Sequence, residues 1–447
     1  MKLETLAEEL LETARRRGAT DADTLVTETT SFSVVVRLGE IETLTNAQTR
    51  HLQLRLFLGE RSALTSTADL TREGLERLVE ENLALARAIA ADPFSGLPDA
   101  AELAREVPDL DLYDDRALAL PVEEKIALAR EAEAAARGFD PRIVNSEGAQ
   151  FSTAAGRVVY ASTRGFLGHY RSSTFSLHVV PVAGQDGSMQ RDYWYSAGRK
   201  LDLLDPAEAV GKKAAERALR RLGARRVKTQ RAPVVFDPES AATLLGHLAG
   251  AVSGPSLYRN TSFLLGRLGE RIAPQFLSVE DNGLIPAAPG SRPFDGEGLP
   301  TRPTAVVRDG VLASYLLDTY SARKLGLKAT AHATRSLADS PGAGPTNLYV
   351  GKGAVSPDEI IRSVRSGLYV TELAGFGVNQ TTGDYSRGAV GLWIEDGELA
   401  FPVEEITIAG NLVAMLQSIE MVGSDLELRS SISAPTLKIA EMTIGGE

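Results

Sequence analysis

His51-Leu52-Gln53-Leu54-Arg55-Leu56-Phe57-Leu58 places an apolar residue at every second position, the period of a strand with one face on a core and the other toward water. Upstream, Leu3, Leu6, Ala7, Leu10, Leu11 and Ala14 recur at the spacing of one helical face. Helix and sheet therefore share one unit. Working outward, Leu75, Leu78, Val79, Leu83, Ala86 and Ile89 predict a helix over about 71–90, stopped before Asp92-Pro93 because proline disfavours helix in the residue before it. A Pro- and Asp-containing stretch near 98–115 marks a subdivision, and an Ala- and Glu-rich helix follows over 121–137. Strands are expected at 156–161, 174–182 and 192–196, and Asp205-Pro206-Ala207-Glu208 opens a helix with an Asp cap, running to about Leu222. The basic cluster Arg217, Arg220, Arg221, Arg225, Arg226 and Lys228 reads as a solvated helix end, where cations complement the macrodipole.

Beyond about residue 226 glycine and proline become dense and short strands dominate. Asp237-Pro238-Glu239 and Ser356-Pro357-Asp358-Glu359 each open a helix. The segment 282–303 fits no regular element, and 341–353 and 374–389 read as further long loops. The expectation is an α+β chain: an N-terminal α/β region with a curved sheet and helices over 1–225, and a mainly β domain with a few helices over 226–447.

The 447 residues are 43% hydrophobic and 24% charged, ordinary for a folded protein, and 48 basic against 59 acidic residues give a formal charge of −11. That balance argues against nucleic acid. No apolar run is long enough to cross a bilayer, and the start, Met1-Lys2-Leu3-Glu4, leads into an acidic amphipathic pattern unlike a signal peptide, so the expected compartment is the cytoplasm. With no cysteine, thiolate nucleophiles, disulfides and Cys-ligated metals are excluded by composition. The five histidines are His51, His169, His178, His247 and His332, and no pair has helical metal-ligand spacing. His169 and His178 would share a metal only from neighbouring strands. No G-x-S-x-G elbow, P-loop or dinucleotide fingerprint is present. The loop Gly377-Val378-Asn379-Gln380-Thr381-Thr382-Gly383-Asp384-Tyr385-Ser386-Arg387-Gly388 gathers amide, hydroxyl, carboxylate, phenol and guanidinium groups between two apolar strands. It reads equally as a Gly-rich turn and as a peptide-binding loop whose candidates are Asn379, Gln380, Thr382, Asp384, Tyr385 and Arg387.

Long stretches of this chain resemble the TldD/PmbA family, and within it the PmbA branch, also called TldE. They include Phe236-Asp237-Pro238-Glu239, Tyr258-Arg259-Asn260-Thr261-Ser262, Ser291-Arg292-Pro293-Phe294-Asp295-Gly296-Glu297-Gly298, Leu317-Asp318-Thr319-Tyr320-Ser321-Ala322-Arg323, Thr382-Gly383-Asp384-Tyr385-Ser386-Arg387-Gly388 and Pro402-Val403-Glu404-Glu405-Ile406-Thr407. The resemblance spans essentially the whole chain. It implies a peptidase of two unlike subunits around an enclosed chamber, in which the TldD member holds zinc with His-Glu-x-x-x-His and a later cysteine. In this chain the matching stretch is Gly246-His247-Leu248-Ala249-Gly250-Ala251, so Gly246 and Ala251 stand at the histidine positions and His247 at the glutamate position. The cysteine region, 428–435, reads Leu-Arg-Ser-Ser-Ile-Ser-Ala-Pro.

The resemblance therefore implies a subunit without catalytic or metal residues of its own, inactive alone. Zinc is expected in a TldD-like partner subunit, and unfolded or leader peptides are expected to be held for proteolysis there. Two other readings are open: a homodimeric peptide-binding or regulatory protein without hydrolysis, the state also compatible with the isolated chain, and a self-sufficient peptidase with metal on His247 or on His169 and His178.

Overall fold

The computed structural model describes residues 2–335 and 341–447, so Met1 lies outside it. The N-terminal part runs α1 (Leu3–Arg16), β1 (Asp21–Arg37), β2 (Glu40–Leu58), β3 (Arg61–Thr67), α2 (Arg72–Ala88), α3 (Arg116–Ala119), α4 (Val122–Arg137), β4 (Ile143–Ser162), β5 (Leu167–Gln185), β6 (Ser188–Arg191), β7 (Trp194–Gly198) and α5 (Ala207–Leu219). The remainder runs β8 (Gln230–Phe236), α6 (Pro238–Val252), α7 (Gly254–Tyr258), β9 (Val279–Asp281), β10 (Thr304–Arg308), β11 (Val311–Leu312), α8 (Thr319–Leu325), β12 (Ala333–Thr334), β13 (Gly342–Ala343) and β14 (Leu348–Val350). It closes with α9 (Pro357–Arg362), β15 (Ser366–Ala374), β16 (Asp384–Glu395), β17 (Glu398–Asn411), α10 (Leu412–Gln417), β18 (Ile419–Val422), β19 (Ile432–Ser433) and β20 (Leu437–Gly445).

The N-terminal strands form one antiparallel sheet in the order β3-β2-β1-β4-β5-β6, with β7 also on β5. Helices α1 and α2 bury Leu52, Leu54 and Leu56 against one end, and α4 and α5 cover Val34, Phe151 and Leu177 at the other. The residues between those leucines are not toward water, as a half-buried strand requires. Gln53 is fully buried and Arg55 only 8% exposed, because the loop carrying Phe294 and Glu297 and the segment carrying Arg335 cover the sheet's other face. This explains the shape of 282–303: a Cβ at Gly290 would lie 1.9 Å from the Thr346 carbonyl oxygen, so only glycine fits.

In the C-terminal part, β17-β16-β15-β8-β20 closes into a ring through β17–β20 pairing, with β18 beside β20. A second sheet, β11-β10-β9-β14-β19, lies across α6, and the two share one core. Capping chemistry sets the helix starts where the sequence places them. Thr71 accepts from Gly74 N–H, Asp237 from Ser240 N–H, and Ser356 and Glu359 complete a capping box. Asp205 does not cap α5; Pro206 takes that position without a side-chain bond, and Asp205 instead faces Arg429 at 3.4 Å. The basic cluster is also a correction: Arg217 is buried, Arg221 pairs with Glu372 at 2.5 Å, and Arg225 lies over the Phe401 ring. These cations fasten α5 and its exit to the C-terminal strands. Among the described residues no helix is long and apolar enough to cross a membrane.

Candidate functional site

The site is built on α6. Proline at its first turn supplies the helical φ without losing a needed N–H, and the Asp237 carboxylate receives the Ser240 N–H at 2.8 Å. Ala241, Leu244, Leu245 and Leu248 bury one side. Burial pushes the Asp237 carboxyl up to about 6, against the opposing pull of the Arg217 guanidinium 3.7 Å away. Five residues along a helix advance about 500°, leaving two positions about 140° apart. Gly246 is half-buried, and a Cβ there would meet nothing within 4 Å; Ala251 is fully buried in the core. The two positions thus lie on different faces of α6, and neither has a donor atom.

His247, between them in sequence, packs its ring edge-to-face on Tyr385 with centroids 6.0 Å apart. Burial and then the Arg387 charge hold its imidazole below the ordinary histidine value, so it is neutral at pH 7. Its Nε2 and the Tyr385 hydroxyl are both buried without a hydrogen-bond partner among the described residues. Burial also raises the Tyr385 phenol above its usual range. The loop divides its polar residues between two tasks. Gln380, Tyr385 and Arg387 come to α6 or beside it: Gln380 donates to the His247 carbonyl at 2.8 Å, and Arg387 donates to the Ala374 and Leu373 carbonyls at 3.1 and 3.2 Å. Asn379 and Thr382 stay on the exposed outer turn, and Asp384, also exposed, opens β16, so the strand begins inside the stretch 374–389 that the sequence reads as a loop. Asn379 accepts from the Thr381 and Thr382 N–H groups, and Thr382 donates to Asp384 at 2.7 Å.

The stretch 428–435 reaches α6 through β19. Its hydroxyls are engaged locally, with Ser430 donating to the Ile432 carbonyl and Ser433 to the Ser430 carbonyl. His169 and His178 do not occupy neighbouring strands. Both lie on β5, nine residues apart, which is about 30 Å of strand, and on opposite faces. Among the described residues no three His, Cys, Asp or Glu side chains gather as a metal-holding group. A zinc ion does not fit the residues present on α6.

Two polar constellations escape the motif reading. One is a cavity of about 280 Å³ at the start of α6, where Trp194, Arg217, Asp237, Glu239, Tyr369 and Arg429 meet. The other is a buried ionic cluster between the sheet and the C-terminal part. Arg55 donates to Asp23 at 2.5 Å and to Glu297 at 3.2 Å, Arg335 also pairs with Asp23, and the Tyr160 hydroxyl donates to Asp23 at 3.1 Å. Burial pushes the Asp23 carboxyl up, but the Arg335 and Arg55 charges outweigh it and hold the group below the ordinary carboxylate value. The alternation of Leu52-Gln53-Leu54-Arg55-Leu56 puts Arg55 on the face expected to meet water, so nothing local in the sequence marked it as buried.

Comparison with known proteins places this geometry. Residues 22–90, 115–222 and 229–446 match domain 1, the central domain and the C-terminal domain of the PmbA/TldA metallopeptidases. Metalloprotease PmbA of Escherichia coli O157:H7 is 40% identical over 426 residues, covering 95% of this chain and 92% of that protein. The crystal structure of a Bacteroides thetaiotaomicron protein, provisionally described as a modulator of DNA gyrase, superposes with a TM-score of 0.92 at 30% identity, covering 99% of each chain. TldE from Thermococcus kodakarensis, at 21% identity, shares the fold with a TM-score of 0.86 over 99% of this chain and 100% of its own. With its three successive domains matched and its length shared, the chain belongs to the PmbA/TldD metallopeptidase family, in the PmbA (TldE) branch.

Proposed function

We propose that this chain is the non-catalytic subunit of a two-subunit TldD/TldE-type zinc metallopeptidase. A TldD-like subunit brings the zinc and the hydrolysis; this chain shapes the chamber and helps to hold extended or leader peptides by strand pairing. The observation that carries the proposal is α6, whose aligned ligand positions are Gly246 and Ala251, neither of which has a donor atom. Water activation by a metal needs open coordination on several fixed donors, and the two aligned positions on α6 supply none, leaving His247 as a single imidazole. The segment 377–388 gives the peptide-facing wall its shape: Gln380 and Arg387 tie it to α6 and to the end of β15, Asn379 and Thr382 form its outer turn, and Asp384 opens β16.

The test is coexpression with a TldD-like chain, measuring cleavage of an unstructured peptide and zinc per chain. Cleavage is expected only when both subunits are present, with zinc following the TldD-like chain. Equal cleavage without this subunit, or stoichiometric zinc on it alone, would overturn the proposal.

A further inference from the structure

The cavity at the start of α6 lies where α5 and β7 meet α6, β15 and the stretch 425–434. Its volume of about 280 Å³ is just below the roughly 300–1,000 Å³ of sites that enclose drug-sized ligands, so its occupant is of amino-acid size. The α5 wall carries two arginines with more donors than acceptors. Arg217 is 5% exposed; its Nε donates to Asp192 at 3.3 Å, and its Nη1 stands 3.7 Å from Asp237, beyond hydrogen-bond reach. That Asp237 carboxylate already receives the Ser240 N–H as the cap of α6. Arg220, three residues on, has its Nε and Nη2 buried without a hydrogen-bond partner among the described residues, and the acid it faces, Asp192, is 4.0 Å away. Burial and then the Arg217 charge both disfavour the Arg220 cation. A buried donor without an acceptor bears its full desolvation cost, and an anion held between the two guanidinium groups removes it.

The acids around the cavity select the anion. Asp425 receives the Thr436 hydroxyl and N–H at 2.7 and 3.0 Å, and Glu427 pairs with Arg429 at 2.5 Å. Glu239 differs. It is half-buried, its carboxylate receives the Tyr195 hydroxyl at 3.1 Å, and it pairs with no cation among the described residues. The α5 wall thus lacks an anion while the α6 wall carries a carboxylate without a cation. A phosphate dianion would bring two negative charges toward Glu239, Asp425 and Glu427. A carboxylate brings one, fits the guanidinium fork, and in an α-amino acid comes with an ammonium group for Glu239. Ala242, Ile432 and Ala434 add an apolar wall for a side chain.

We propose that this cavity binds a free α-amino acid with an apolar side chain, its carboxylate on Arg217 and Arg220, its ammonium on Glu239 and its side chain toward Ile432 and Ala434. The site is built by this chain alone and is independent of the subunit role proposed above.

Isothermal titration calorimetry of the full chain with L-leucine as the probe should show one saturable site with a Kd below about 1 mM. L-leucinamide, which lacks the carboxylate, and inorganic phosphate, which lacks the ammonium, should each bind about tenfold more weakly or worse. Arg220→Gln removes a charge whose buried nitrogens make no hydrogen bond. It should weaken L-leucine about tenfold or more with the circular dichroism spectrum unchanged. Glu239→Gln separates the two ends of the ligand: it should weaken L-leucine but leave N-acetyl-L-leucine, which has no ammonium, unchanged. Absence of saturable L-leucine binding, equal binding of L-leucinamide or phosphate, indifference to Arg220→Gln, or equal loss of both leucine probes in Glu239→Gln overturns the inference. A chain that binds no L-leucine yet supports cleavage beside a zinc-bearing subunit overturns it while leaving the proposed function standing.

Discussion

Asp237 combines a capping role with a perturbed acid, and its sign can be worked out. Its folded-state carboxyl lies at about 6 against an ordinary 3.8, so folding favours the protonated form. The associated stability is fully present below about pH 4 and is lost as pH rises to about 6. Asp237→Asn keeps an oxygen for the Ser240 N–H and removes the titration. Denaturant unfolding between pH 4 and 7 should therefore show the variant gaining on the wild type by up to about 3 kcal/mol across that window. A constant difference between the two proteins would place the shift elsewhere. At Tyr385 the expectation is different. Tyr385→Phe removes a buried hydroxyl that has no partner, so stability should hold or rise by less than about 1 kcal/mol. Arg387→Ala loses two bonds to carbonyl groups and should cost about 1–2 kcal/mol. Peptide capture by the folded Arg387→Ala variant should weaken; unchanged capture would reduce the loop to a scaffold.

At the scale of the element, α6 shows why restoring residue types does not restore a site. Gly246→His has open space to enter, but Ala251→His must place an imidazole in the core, where overpacking typically costs about 1–3 kcal/mol or more. Because Ala251 is enclosed by the core and the chain has no cysteine to complete the ligand set, the double variant should bind no stoichiometric zinc, as equilibrium dialysis with metal analysis would reveal. The same helix was readable in advance from Asp237-Pro238-Glu239 and its leucines, since caps and periodicity are local. α5 was less so: the sequence predicts a solvated basic terminus, and only the packing of Arg217, Arg221 and Arg225 on distant strands turns that terminus inward. The alternation of 51–58 likewise predicts a strand correctly, and one wet face incorrectly.

The whole molecule depends on that second covered face. Arg55, Asp23, Glu297 and Arg335 come from segments far apart in the chain and meet where water is excluded. Arg55→Met would leave Glu297 without its arginine and Asp23 with one arginine fewer. Urea unfolding should show a loss of about 3–5 kcal/mol that added salt does not erase, as it would for a surface pair. What the sequence determined by itself was local or compositional: the helix starts, the two-residue period of the strands, the absence of thiol chemistry, and Gly246 and Ala251 where ligands would stand. What only the tertiary structure decided was which charges are buried, that Ala251 is enclosed by the core, that His169 and His178 share one strand, and that β2 keeps an open edge. Dihedral preference and periodicity act over a few residues, whereas burial and partner choice depend on which distant segments close over them.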